Sequence, residues 1–267
     1  KELDDLDLNP LLITVDGAQA IRYDREKPRN AVPDTLDQQI IRDAARFFDE
    51  GEKMQLSYTV RNTHRTVGTR ASHHITRNFG MLNTLQRDHL TIRLTGSAGQ
   101  SLGAFAVRGL KIEVQGDAND YVGKGLSGGL IVVRPRMDSP LVAHENTIIG
   151  NTVLYGATAG QLFAAGRAGE RFAVRNSGAE VVVEGCGTNG CEYMTGGVAV
   201  ILGSIGANFG AGMSGGMAYL YDPEGLAARL LNMESLLTCP VTVPHWQAQL
   251  RSLIERHAEE TGSQRAT

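Results

Sequence analysis

A short apolar run followed by a glycine-studded turn recurs seven times between Leu90 and Tyr221, and this recurrence constrains the chain more than any other feature. The runs begin at Leu90, Leu110, Leu130, Gln161, Ala179, Val198 and Met217, with separations of 20, 20, 31, 18, 19 and 19 residues. LTIRLT (90–95), LKIEVQ (110–115), LIVVRP (130–135), AEVVVE (179–184) and VAVIL (198–202) are rich in β-branched residues, as strands are. In the first, Leu90, Ile92 and Leu94 alternate with Thr91, Arg93 and Thr95, the period of a half-buried strand. Of the 32 glycines, 26 fall between Gly96 and Gly216, and three turns close on a pair: Gly128-Gly129, Gly196-Gly197 and Gly215-Gly216. A chain that doubles back so often needs corners where φ is positive or backbones touch, and glycine reaches both. One strand per fixed period, with no helical period between strands, marks stacked units. The expected fold class is therefore an all-β solenoid, a parallel β-helix of about seven coils with α/β flanking caps. The 31-residue interval reads as a coil with a surface insertion, PRMDSPLVAHEN (135–146), and an extra strand within TIIGNTVLYG (147–156).

The flanks divide the chain into three expected parts: a linker and cap over 1–89, the repeats over 90–221 and a helical cap over 222–267. Residues 1–33 are polar and weakly patterned. Thr35-x-x-Gln38 has the form of a capping box and opens an expected helix over about 35–49 that Gly51 ends, with Leu36, Ile40, Ala44, Phe47 and Phe48 as its apolar stripe. A strand is expected over about 54–60, with Met54, Leu56, Tyr58 and Val60 on one face. Pro244 opens a second helix that Gly262 ends, with Trp246, Leu250, Leu253, Ile254 and His257 on one face. Both flanks would cap the raw coil at each end of the β-helix against edge-to-edge pairing.

A net charge of −3 and a pI near 6.2 point to neither nucleic acid nor an acidic membrane surface as partner. No apolar run approaches membrane-spanning length, and no signal peptide is visible. Three cysteines, Cys186, Cys191 and Cys239, are too few for a disulfide framework, so a cytoplasmic location is expected. The chain starts at Lys1 and not at Met, which suggests a segment of a longer polypeptide.

Several motifs invite chemistry. Gly123-Lys-Gly-Leu-Ser-Gly-Gly has some likeness to a phosphate loop but lacks its order and a following helix. Cys186-x4-Cys191 is a pair of thiols without further ligands at metal spacing, and packed side chains are the plainer reading. His64, His73 and His74 cluster without an acidic neighbour in sequence. Asp117, Asp120, Glu184 and Glu192 fall at corners, where paired carboxylates would suit a polysaccharide-acting enzyme, although the aromatic platforms of such grooves are scarce. Asn119, Asn189 and Asn208 read as corner hydrogen-bonders. No catalytic, cofactor-binding or metal-ligating residue is assigned. One stretch stands out: from Met54 to Gln86 there is no Asp or Glu, while Arg61, Arg65, Arg70 and Arg77 lie within it. It is either an ordinary solvated basic surface or a docking face for an acidic partner, and the four arginines are the candidate docking residues.

GDANDYVGKGLSGGLIVVRP (116–135), NTVLYGATAGQLFAAGRAGERFAVRNSGA (151–179), NGCEYMTGG (189–197) and NFGAGMSGG (208–216) closely resemble the C-terminal glycine-repeat domain of glutamate synthase large subunits. Arg61-Asn62-Thr63, Arg65-x-Val67-Gly68 and the terminal Thr261-Gly-Ser-Gln-Arg extend the likeness to about residues 54–265. A weaker likeness is to a formylmethanofuran dehydrogenase subunit, in the repeats but not the flanks. The first resemblance implies a right-handed parallel β-helix. It implies a structural part, itself non-catalytic, holding together the amidotransferase and synthase regions of an enzyme that makes L-glutamate from L-glutamine and 2-oxoglutarate. By the same resemblance FMN and an iron–sulfur cluster belong to other regions of the large subunit, and NADPH and FAD to a small partner subunit. None of those cofactors maps onto a position here, and the family's N-terminal amidotransferase cysteine has no counterpart at Lys1. The expected partners are the other regions of the same subunit and the small subunit. Two other readings stay open: an independent binding module, and a freestanding polysaccharide-acting enzyme.

Overall fold

The structure, a computed structural model, describes residues 7, 9–12 and 33–267. The chain divides into two compact units, Lys1–Asp34 and Thr35–Thr267. Of the first, a single 3-10 turn at Asn9–Leu11 is described, with Asp7 Oδ1 accepting from the Asn9 amide at 2.9 Å. The expected polar linker over residues 1–33 lies largely outside the described residues.

The second unit opens with two short helices, α1 (Leu36–Asp43) and α2 (Ala45–Glu50), broken at Ala44. Then come β1 (Met54–Val60) and a third helix, α3 (Thr69–Phe79). The repeats supply β2 (Leu90–Ala98), β3 (Leu110–Ala118), β4 (Ser127–Arg134), β5 (Thr147–Ile149) and β6 (Ala159–Ala164). They continue with β7 (Arg167–Ala168), β8 (Ser177–Val183), β9 (Thr195–Ile201) and β10 (Gly215–Leu220). The chain then reaches α4 (Pro244–Thr261). All ten strands join one parallel sheet in the order β1-β2-β3-β4-β6-β8-β9-β10, with β5 and β7 branching from β3. The register stacks like on like: Leu90 faces Leu110, Ile92 faces Ile112, Leu94 faces Val114 and Gly96 faces Gly116.

This architecture corrects the expected fold class. The molecule is not a closed all-β solenoid or β-helix but an α/β fold, with a ten-stranded parallel sheet and four α-helices among the described residues. The physical reason lies in β4. Leu130, Ile131, Val132 and Val133 are all buried, so both faces of the sheet are covered, as in α/β proteins. Ile131 and Val133 face the main core. Leu130 and Val132 join Phe163, Val182, Val200, Leu202 and Tyr219 on the opposite face, where Leu253 of α4 packs with Leu250 and Ile254. Polar contacts fasten the same helix. Lys111 Nζ lies 2.7 Å from Glu260 Oε2 and from Glu113 Oε1, and the Tyr219 hydroxyl donates to Gln249 at 3.0 Å. Burial pulls the Lys111 ammonium down, but the two carboxylates more than offset this and hold it above its usual range.

Between strands the chain runs in curled loops of a repeated kind. Thr66, Ser101, Tyr121, Thr152, Arg171, Asn189 and Asn208 all have φ between 55° and 63°. For the first six, the amide donates to a carbonyl of the following loop at 2.8 to 2.9 Å, as from Ser101 to Asp120 and from Arg171 to Thr188. The left-handed conformation costs a non-glycine residue about 1 kcal/mol or more, and the loop-to-loop bonds are what hold it. Four positions further on, the Phe105 ring covers Gly125, and the Tyr193 ring covers Gly212, where any Cβ would collide with it. The glycines there make room for an aromatic from the neighbouring loop.

α3 was not legible in the sequence, and its start shows why. Gly68 stands at the N-cap with φ 96° and no side chain to offer. The cap comes from Asp37 of α1: Oδ1 accepts from the Gly68 amide and Oδ2 from the Arg70 amide, each at 2.7 Å. Asp37 is 4% exposed. Burial pushes its carboxyl up, against the pull of those amides and of Arg70. The Thr35 side chain, by contrast, makes no capping bond, so the expected box at Thr35 and Gln38 does not form. Asp37→Ala leaves two sequestered amides without an acceptor and should destabilise the fold by about 2–3 kcal/mol. Urea unfolding reads this; a midpoint unchanged from the parent chain would show that α3 needs no cap from α1.

Candidate functional site

The four arginines singled out in the sequence fall in two places. Arg61 and Arg65 are exposed on the loop between β1 and α3. That loop is tightly held. The His64 amide donates to Arg61 O at 2.8 Å, and the Arg61 amide donates to His64 Nδ1 at 3.2 Å. Gly99 N donates to His64 O at 3.1 Å, and Asn119 Nδ2 to Asn62 Oδ1 at 2.8 Å. Arg70 and Arg77 sit on α3, seven residues apart and so on one face. Arg70 is half-buried with its amide committed to Asp37, whereas Arg77 is exposed in the last turn. Both bear on His74, whose pKa is lowered by burial first and then by His73, Arg70 and Arg77. Among the described residues no carboxylate pairs with Arg61, Arg65 or Arg77. The acid-free composition of the stretch thus leaves real unpaired cations on a fixed backbone.

The other chemistry-bearing residues are dispersed. Asp117 accepts from Ser97 Oγ at 3.0 Å, Asp120 accepts from the Asn151 amide at 2.7 Å, and Glu192 pairs with Arg171 at 3.0 Å. Asn189, Asn208 and Asn232 form a side-chain ladder with bonds of 2.7 and 2.8 Å. Cys186 and Cys191 are fully buried in the main core, and burial pushes both thiols up, Cys186 to about 12, which disfavours the thiolate a metal would need.

Glu184, one of the four corner acids singled out in the sequence, differs from the other three in its burial. It is 1% exposed. Its Oε1 accepts from Ser263 Oγ, which ties down the chain after α4, and lies 3.5 Å from His257 Nε2, which has no hydrogen-bond partner among the described residues. Its Oε2 has no partner among the described residues. Glu184 is among the residues that border a cavity of about 410 Å³, with Arg167, Ser204, Tyr221, Asp222 and Arg265, but its Oε2 is sealed from that space. Arg167 Nη1 donates to Ser204 Oγ at 2.7 Å. Arg265 Nε donates to Leu202 O at 2.8 Å, and its guanidinium lies 5.2 Å over the Tyr221 ring. Asp222 is committed to the amides of Leu226 and Ala227 at 2.9 and 3.0 Å. These residues are up to 98 positions apart, from Arg167 to Arg265, so no local motif announces the cavity.

Comparison with known proteins places these features in a family context. The model of the family described as "GXGXG motif" matches residues 37–267. The chain is 64% identical over 263 residues to the glutamate synthase [NADPH] large chain of Azospirillum brasilense, covering 98% of this chain and 17% of that protein. It is 47% identical over 261 residues to the glutamate synthase [NADH] of Schizosaccharomyces pombe, covering 97% and 12% respectively. It is 44% identical over 260 residues to ferredoxin-dependent glutamate synthase 2 of Synechocystis, again covering 97% of this chain and 17% of that protein. The chain therefore spans less than a fifth of the length of each of these relatives.

Proposed function

Because the chain belongs to the GXGXG motif family and is a glutamate synthase large-subunit domain, we propose that it serves that enzyme as a non-catalytic scaffold that holds the amidotransferase and synthase regions in register. The observation that carries this reading is the basic loop. Arg61 and Arg65 stand exposed, with no carboxylate partner among the described residues, on a backbone pinned to the neighbouring loops, so presenting them to a partner costs little further ordering. Guanidinium groups in that setting suit carboxylates or carbonyls of an adjoining region. Relatives named for NADPH, NADH and ferredoxin match over 97% or more of this chain, which favours a duty independent of the electron donor.

On the same reading the whole protein makes L-glutamate from L-glutamine and 2-oxoglutarate. FMN and an iron–sulfur cluster sit in its other regions, and NADPH and FAD on a small subunit. It works in the cytoplasm, where three free cysteines persist. Among the described residues no helix is long and apolar enough to cross a membrane.

Arg65→Glu tests the docking face. The variant chain should keep its urea midpoint, with a stability change within about 0.5 kcal/mol, since the side chain is exposed. In the full-length large subunit it should raise the ratio of glutamine hydrolysed to glutamate formed. Unfolding of the variant chain would make Arg65 an internal structural residue. An unchanged ratio would make the loop a solvated face and sink the docking role.

A further inference from the structure

β1 ends the sheet without the devices that usually close an edge. It pairs with β2 alone, in parallel, from Met54 on Leu90 to Val60 on Gly96. The Met54 amide donates to His89 O at 2.9 Å and so points toward β2. Successive residues of a strand turn their amides and carbonyls to opposite sides, so Gln55, Ser57 and Thr59 direct theirs away from the sheet. Among the described residues these backbone groups have no partner, and all three side chains are exposed. Natural edges are blunted by a charge, a proline or a bulge, and MQLSYTV has none of them. β10, at the opposite end of the sheet, is by contrast bulged between Gly215 and Met217.

We infer that the outer edge of β1 takes an extended strand from an adjoining region of the large subunit, with a carboxylate where that strand passes Arg61 and Arg65. The inference rests on the docking role proposed above and gives it a binding mode, with backbone hydrogen bonds for affinity and the arginines for register. Charge selects this occupant. Arg61 follows β1 directly and Arg65 comes four residues later, both exposed and without a carboxylate partner among the described residues. At the other end of β1, Lys53 is already held by Asp88 at 2.6 Å. A second copy of the chain, paired antiparallel about Ser57, would set Arg61 of each copy opposite Lys53 of the other, and like charges directly opposite are destabilising. A strand with an acid at the Arg61 end meets the same edge without that conflict. The relatives extend far beyond this chain, which covers 12 to 17% of their length, so such a strand has a source.

Amide hydrogen exchange tests the inference on the 267-residue chain and on the full-length large subunit, read by mass spectrometry with fragmentation to single residues. Gln55, Ser57 and Thr59 should exchange fast in the isolated chain and about tenfold or more slower in the subunit, while Leu56 and Tyr58, bonded to β2, are slow in both. This comparison needs no substitution, so it does not hang on the folding of a variant. Ser57→Pro removes an outward amide and leaves the β2 ladder intact. In the subunit it should return Gln55 and Thr59 to fast exchange, whereas Ser57→Ala, which keeps the amide, should not. Fast exchange of the three amides in both proteins would overturn the inference. Slow exchange in the isolated chain would do the same, because the chain itself or a second copy would then be the occupant. Gln55 and Thr59 staying slow in the Ser57→Pro subunit would also overturn it, by showing cover without strand pairing. If Arg65→Glu raises the hydrolysis ratio while the three amides stay fast in the subunit, the docking role stands and the strand alone fails.

Discussion

Gly197→Val is expected to cost about 3–5 kcal/mol, enough to bring a domain of ordinary stability near unfolding. Two effects combine. Gly197 has φ 80°, a region that a β-branched residue enters only under strain. A Cβ there would also overlap the Ala179 carbonyl oxygen and come 2.8 Å from Asn176 Nδ2. Asn176 is itself fully buried, bridging the Ala179 amide and carbonyl at 2.9 Å, so the substitution disturbs a satisfied polar group as well as the backbone. The control belongs on the insertion after β4. Ser139 is unsuitable there, because its Oγ accepts from the Leu141 amide at 3.3 Å. Met137 is 87% exposed, and Met137→Val should stay within about 0.5 kcal/mol. Denaturant midpoints compare the two; similar midpoints would mean that the Gly197 corner relaxes without cost.

Removal of residues 244–267 should have an effect at least as large. It strips α4 from the sheet and uncovers Leu130, Val132, Phe163, Val182, Val200 and Tyr219. Fully exposing such side chains costs about 1.5–3 kcal/mol each, so together they rival the net stability of a typical domain. The truncation also removes Glu260 from Lys111, and Ser263 and His257 from Glu184, which leaves charged groups with fewer partners in a partly desolvated setting. The expected product binds a hydrophobic dye, associates on size exclusion and lacks a cooperative melt. A monomeric truncation melting within a few degrees of the parent would show that the outer face tolerates water.

The strand content could be read because it is local. Leu90, Ile92 and Leu94 announced β2, and all three are fully buried. Gly51 and Gly262 announced helix ends and indeed take left-handed φ values of 72° and 69°. What failed was non-local. The unbroken apolar run of β4 shows a strand but not what covers its second face, which is why the sequence points to a β-helix with α4 as an end cap and not to an α/β sheet with α4 on its face. Trp246, expected on one face with Leu250, Leu253, Ile254 and His257, is 36% exposed. α3 was invisible because its cap, Asp37, lies 31 positions before Gly68. Left-handed backbone was expected at glycines, yet residues as unlike as Tyr121, Arg171 and Cys191 adopt it, because bonds between loops and not side-chain propensity decide the conformation. Arg61 and Arg65 were legible as unpaired cations through the absence of nearby acids. The cavity was not, since Arg167, Glu184 and Arg265 meet only through the sheet and the segment after α4.

The loop-to-loop bonds have a mechanical consequence. Each amide of the series from Thr66 to Asn189 hangs on a carbonyl of the next loop, so these bonds run along the direction in which the strands are stacked. A pull between β1 and β10 would load them one after another, like the rungs of a zip and unlike a shear that all share. Such a ladder yields by steps from its ends, and each loop released takes only its own neighbour's support with it. That arrangement makes the stack stiff under small loads and lets it give way gradually under large ones.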